Sequence, residues 1–417
     1  MKVSKIIMFL YTILFLLVVF CGNQRVPIFN YTSELMAVMG VLLVIGYLCS
    51  KKEFGLSSSR IQVFLYIVIF AYIIMDYFKW SIYPECTDVY IKRFIFYFPL
   101  VLINVSMDSI EKIIQVSKYY ILIIAMGFII LYPSRGVNGS FLGSYQEAAG
   151  ALSIGLLFLV VDYLFKEEYT YKDVLMILFI AGTLLMTGKR TFTVIPVCIM
   201  LLLTFIKTGN NTSKVKFKRL LNIFLPAIVL GGIILTIKPD IFLALSRLKE
   251  TSQDAGMNGR KNFWDLAMYL WSENKWTGIG MGTYQEFIAR NMPFTYKAFR
   301  VQAAYAAHNI YYQMLAEIGC IGFILFIVYF VYNLSTSIKV IRFEETMQDN
   351  KISKYAYLSL IIQVWFLLYG FTGNPLYLVN QFYIYLFAIM IDQSIKREIR
   401  KRMRMEKNEV NGHNSCV

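Results

Sequence analysis

Apolar runs of about 15 to 20 residues recur from one end of this chain to the other, separated by short polar connections. As helices, such runs reach across a hydrocarbon layer of roughly 30 Å, inside which a backbone must satisfy its own N–H and C=O groups. Composition agrees: of 417 residues 58% are apolar and 16% charged, where soluble domains hold roughly 45–50% and about 25%. The chain reads as an all-α polytopic membrane protein.

Hydropathy predicts twelve transmembrane helices, at residues 6–20, 35–48, 61–75, 94–105, 119–131, 148–165, 174–186, 191–205, 220–237, 309–334, 355–371 and 377–391. The chain thus divides into nine spans in residues 1–237, a long polar loop at 238–307, three spans in 308–391 and a basic tail at 392–417. The first run follows Lys2 and Lys5 and precedes Cys21-Gly22-Asn23, like a signal sequence, but so many later spans predict an uncleaved first helix. Six scattered cysteines with no CxxC pair predict neither a disulfide framework nor a metal site.

The net charge of +15 could suggest nucleic acid. Alternate connections, however, collect most of the 41 Lys and Arg, among them Lys51, Lys52, Arg60, Lys218, Arg219 and the tail from Lys396 to Lys407. That pattern places both termini in the cytoplasm and the long loop outside, and makes the tail an anchor meeting anionic membrane lipid. No nucleic-acid partner is predicted. Tyr77, Phe78, Trp80, Tyr83 and Tyr90 suit an aromatic belt at the outer interface.

Against this background a few polar residues stand out. Lys189-Arg190 sits in a tight outer turn, against the positive-inside bias. It reads either as an anion site or as two side chains snorkelling to lipid phosphates. Glu147, at the mouth of the sixth span, is a helix-start acid or a site residue. In the loop, Met257-Asn258-Gly259-Arg260-Lys261 reads as a turn opening a helix from Asn262 to about Ser272. Its apolar surface can lie on the membrane, and Arg260 near its start is either solvated or, with the free N–H groups, an anion site. Gly278-Ile279-Gly280-Met281-Gly282 lacks nucleotide-loop spacing and reads as a backbone turn or a close approach to carbohydrate.

His308 is one of only two histidines and stands where the loop enters a span. It can be a general base, a hydrogen-bond donor to a developing charge, or a polar cap. If the helix includes it, Tyr312, Leu315, Gly319 and Gly322 share its face and Glu317 lies opposite. Glu317 is then a poor partner for His308, and the two glycines allow another helix to pack beneath it.

Arg260, Trp264, the Gly278–Gly282 run, His308-Asn309-Ile310-Tyr311 and Glu317-Ile318-Gly319-Cys320-Ile321-Gly322 resemble the signature region of the O-antigen ligase and polymerase family. The twelve-span layout and the Lys189-Arg190 turn resemble it as well. The resemblance implies a membrane fold of the GT-C type and a metal-independent, cofactor-free, inverting glycosyltransferase of the bacterial inner membrane. Its partners would be a donor and an acceptor oligosaccharide linked to undecaprenyl diphosphate, together with other polysaccharide-assembly proteins. By the same resemblance Arg190 and Arg260 hold the diphosphate and His308 assists the acceptor hydroxyl, while Lys189, Lys261, Glu147, Asn309 and Tyr312 are expected to bind substrate. A polymerase of O-antigen or capsule repeat units is the leading expectation. A ligase onto lipid A core and a lipid-linked oligosaccharide flippase are the alternatives; the flippase would more often show two related halves.

Overall fold

The computed structural model describes residues 3–20, 32–57, 59–135, 145–166, 168–205, 213–237, 255–291, 306–343 and 349–414. Within them lie fourteen helices: α1 (Val3–Phe20), α2 (Thr32–Cys49), α3 (Arg60–Lys79), α4 (Pro84–Leu102), α5 (Met107–Arg135), α6 (Tyr145–Phe165), α7 (Tyr171–Met186), α8 (Arg190–Phe205), α9 (Ser213–Ile237), α10 (Ala255–Glu273), α11 (Thr283–Asn291), α12 (Ile310–Arg342), α13 (Asn350–Gly370) and α14 (Val379–Asn414). Each of the twelve apolar stretches falls mainly in its own helix, and α10 and α11 occupy the long loop between α9 and α12. Among the described residues six helical segments are long and apolar enough to cross a membrane: Val3–Phe20, Arg60–Lys79, Met107–Ser134, Gln146–Phe165, Ile310–Arg342 and Asn350–Gly370. The protein is a helical, multi-pass membrane protein. The expected outer connections at residues 22–34 and 132–147 lie largely outside the described residues, as do residues 238–254 and 292–305 of the long loop.

Helices α12, α13 and α14 form the centre. α14 packs on α13, α12, α1 and α4, and α13 also packs on α6 and α8. Rings fill the seams: Trp365, Tyr383 and Tyr385 are fully buried, and Tyr385 stacks on Phe382 and meets Phe366. The chain's outward-facing apolar residues, such as Phe64, Ile130 and Ile228, sit on helix faces turned to the surroundings, as expected where the solvent is hydrocarbon.

Two stretches differ from the sequence reading. The fourth apolar run does not stay helical: it ends in β2 (Ile103–Val105), antiparallel to β1 (Phe54–Leu56), with Phe54 opposite Val105. The basic tail is helical, because α14 continues without a break to Asn414. Long straight side chains of Lys, Arg, Met and Glu lose little freedom in a helix, so nothing in the tail's sequence ends it at Ile391.

Candidate functional site

The loop helices build a small second core against α12. Phe263, Leu266, Ala267 and Leu270 of α10 bury themselves with Ile279, Tyr284 and Ile288 against Ala307 and Ala316. The apolar face of α10 therefore meets protein rather than lipid, contrary to the membrane-surface reading. The helix also starts at Ala255, about two turns before the expected Asn262. Arg260 accordingly lies inside the helix, beyond the free N–H groups of its first turn.

The glycine run proves to be a backbone device. Helix α12 breaks at Gly319, whose φ of +60° and ψ of −168° are not helical. The broken hydrogen-bond ladder is completed by the run: Ile279 N–H donates to Ala316 C=O (3.0 Å) and Gly280 N–H to Glu317 C=O (2.7 Å). In return Cys320 N–H donates to Lys275 C=O and Ile321 N–H to Trp276 C=O. The Tyr72 hydroxyl takes the carbonyl of Ile318 at 2.7 Å. Buried backbone groups rarely go unpaired, and here the loop supplies what the helix gave up. Gly278 (φ +73°) and Gly319 form a reciprocal contact, since a Cβ on Gly278 would strike the Glu317 carbonyl and one on Gly319 the Trp276 carbonyl. Of the two readings of this run, the backbone turn holds. Gly322 packs beside Tyr72 of α3, so the close helix approach is made there, while Gly319 receives a loop.

Glu317 has a role in the same device. Fully buried, its carboxylate accepts the N–H groups of Gly282 (2.7 Å) and Tyr284 (3.1 Å) at the start of α11, and the Gln313 amide at 3.0 Å. Asp76 of α3 similarly accepts Met281 N–H at 2.7 Å. An acid receiving helix-start N–H groups needs no further role to justify its burial.

His308 stands just outside α12, whose N-cap is Asn309; the Asn309 side chain accepts Tyr311 N–H (3.0 Å) and Tyr312 N–H (3.3 Å). The helical-face argument therefore does not reach His308. Its φ is +53°, the one left-handed conformation among non-glycine described residues. For a residue with a Cβ this arrangement persists only where its surroundings fix it. Both neighbours are fixed. Ala307 N–H donates to Gln313 Oε1 (3.1 Å), Ala307 C=O accepts the Trp264 indole (2.9 Å), and Asn309 Nδ2 reaches Phe371 C=O (3.3 Å). Tyr312 packs on Trp264, with ring centres 5.6 Å apart.

The same bonds bring in the cations. Arg260 and Trp264 are four residues apart on α10 and share a face, so anchoring Trp264 beside His308 carries Arg260 there too. Lys189 comes from the α7–α8 turn, where Gly188 takes φ +71° and Thr187 caps with its hydroxyl on Leu184 C=O. Phe192 of α8 lies on Tyr369 of α13 at 4.5 Å, and Gln146 at the start of α6 bridges Lys189 Nζ (3.5 Å) and the Tyr369 hydroxyl (3.4 Å). His308 registers the result. Burial and the positive charges of Arg260 and Lys189 push its imidazole down from 6.5 to about 4, so it is neutral at pH 7.

Of the sequence-predicted residues, then, His308, Arg260 and Lys189 come together, with Asn309 and Tyr312 holding the histidine's segment. Arg190 is the first residue of α8, next to Lys189, and half-buried. Glu147 is half-buried beside Gln146 in the first turn of α6, and Lys261 is exposed beside Arg260. Sequence reasoning missed Tyr369 of α13, whose hydroxyl accepts from Gln146 Nε2 (3.4 Å), and Gln381 of α14, which lies close to it. Gln381 in an apolar stretch was the available signal; Tyr369 is one of 30 tyrosines. A half-buried neutral imidazole flanked by two cations can bind an anion and take up a proton once that anion offsets their charge.

Residues 175–327 match the family described as O-Antigen ligase. The match runs from α7 to the middle of α12 and includes Lys189, Arg190, Arg260, His308 and Glu317, supporting assignment to the O-antigen ligase/polymerase family. No curated protein matches the chain.

Proposed function

We propose that this protein, which carries the O-Antigen ligase segment over residues 175–327, is a membrane glycosyltransferase that polymerises the repeat units of an O-antigen or capsular polysaccharide. It moves a glycan from a polyprenyl diphosphate, undecaprenyl diphosphate by the family resemblance, to a sugar hydroxyl of a lipid-linked acceptor at the outer face of the inner membrane. The observation that carries this reading is the convergence of Arg260 and Lys189 on His308 at one end of an apolar helical bundle.

In the reaction the acceptor oxygen bonds to the anomeric carbon while the bond from that carbon to the diphosphate breaks, inverting the centre. The electron pair leaves on the diphosphate, where Arg260 and Lys189, with Arg190 alongside, stabilise the growing charge. The hydroxyl proton passes to His308. The two cations hold the imidazole's basicity down; a bound diphosphate offsets them and raises it, so His308 becomes an effective base when the donor is in place.

The matching family's description favours a second reading, a ligase that hands the finished chain to another acceptor. The lipid-linked products of a deletion strain separate the two. Loss of a polymerase leaves single repeat units on the carrier, and loss of a ligase leaves long chains there. Purified protein that formed no glycosidic bond from lipid-linked repeat units but moved them across a bilayer would overturn both.

A further inference from the structure

The opposite end of the bundle holds a cavity of about 720 Å³ that the transfer reaction does not use. It forms where the two-stranded β1–β2 sheet meets the basic continuation of α14. Its construction starts at Gly55, where a Cβ would collide with the Arg397 guanidinium 2.8 Å away. Glycine therefore lets that guanidinium lie on the sheet, where it donates to the carbonyls of Lys51 and Lys52 and to Asn104 Oδ1. Two more lining cations are tied by acids: Arg402 to Asp349 (2.9 Å) and Lys351 to Glu111 (2.7 Å).

The remaining lining cations, Lys51, Lys52, Arg400, Lys401 and Arg404, have no acidic partner among the described residues and are exposed. Against them the lining offers three acids, Glu53, Asp108 and Glu398, so positive charge is in clear excess. The cavity also has apolar walls from Tyr47, Phe54, Met107 and Ile352. Arg400 borders a second cavity of about 540 Å³ as well, lined by Arg60 and Lys396 together with Ile61, Tyr332, Phe343 and Met403. Cations beside apolar walls in both cavities match a phosphate headgroup and the start of its acyl chains.

We propose that this cavity is a binding site for the phosphate headgroup of an anionic lipid, with Arg400, Lys401 and Arg404 as its principal contacts and Arg397 as a fixed floor. The excess of cations favours a headgroup with more than one negative charge. A basic pocket between helices is a more specific device than the general attraction of basic rims to acidic bilayers.

The test uses the full chain in neutral detergent and follows its thermal transition with added cardiolipin, phosphatidylglycerol, phosphatidylcholine or inorganic pyrophosphate. Cardiolipin is expected to raise the transition by several degrees, phosphatidylglycerol by less and phosphatidylcholine not at all. The R400Q/K401Q/R404Q variant is expected to lose most of the cardiolipin shift. A K112Q/K172Q/K218Q variant, which removes the same number of exposed cations outside both cavities, is expected to keep it. Equal loss in the two variants would reduce the effect to bulk attraction and overturn the site. Equal protection by pyrophosphate and cardiolipin would keep the phosphate site but overturn its assignment to lipid. Should the first variant fold poorly, the single substitution R404Q is expected to reduce the cardiolipin shift measurably, and an unchanged shift would also overturn the site.

Discussion

Both ends of this bundle are basic, but they hold their cations in different ways. At the sheet end Arg397, Arg402 and Lys351 are tied to carbonyls or acids and the rest stand exposed, so their number matters more than their placement. At the other end two cations, Arg260 of α10 and Lys189 of the α7–α8 turn, come to one half-buried imidazole and alter its chemistry. A count of basic residues thus reports orientation in the membrane, whereas the position of a cation beside a titratable group reports reactivity.

Substitutions should divide along the same line. The largest effect is expected from His308→Ala, a loss of roughly 10²–10⁴ in transfer, as for removal of a positioned base. Chain length on the lipid carrier reads it out, and near-normal turnover would remove His308 from the mechanism. Next, Arg260→Lys keeps the charge but loses the planar fork, and a drop of about 10²–10³ is expected in the rate with lipid-linked donor. A variant with full rate and affinity would detach Arg260 from the diphosphate.

Glu317→Ala strands two backbone donors at the start of α11, at a cost of roughly 1–3 kcal/mol for each. Lower thermal stability and faster proteolysis around 275–285 should accompany a partial loss of rate. Unchanged stability would mean that the glycine run is held without its clamp.

Lys189→Gln gives a subtler readout. Removing one positive charge should raise the His308 pKa from about 4 toward 6.5. With only two histidines in the chain, NMR titration can follow it directly. An unmoved titration would place Lys189 outside the site. In the wild type the folded state binds this proton less readily than the unfolded chain. Its contribution to stability is therefore full above pH 6.5 and lost as the pH falls toward 4. The smallest effect belongs to the sheet end, where R400Q/K401Q/R404Q should leave turnover in detergent unchanged; a loss comparable with that of Arg260→Lys would erase the distinction between the two ends.

Much of this arrangement was legible in the residues themselves. Hydrophobic run length placed each apolar stretch mainly in its own helix, and the rarity of histidine drew attention to His308. What escaped depended on contacts distant in sequence. Glu317 was set aside as a partner for His308 without its role being legible, because its partners, Gly282 and Tyr284, lie more than thirty residues earlier. The start of α10 was misplaced because Asn258 and Gly259 suggest a turn, while burial of Phe263 and Leu266 against α12 favours the helix. Tyr369 joins the site through Phe192 and Gln146, from two other helices. The face assigned to His308 failed because helical periodicity cannot reveal that the helix begins two residues later.

The break at Gly319 has a mechanical consequence. It divides α12 into a short leading piece of about two and a half turns, bonded to the glycine run, and a long trailing piece from Cys320 to Arg342. A continuous helix would pass any tilt or bend of its spanning part straight to its first residues. With the ladder interrupted, the loop holds both pieces, the leading one at Ala316 and Glu317 and the trailing one at Cys320 and Ile321. A tilt of the trailing piece therefore reaches His308 through the loop that carries Arg260 and Trp264 as well, so histidine and loop move together.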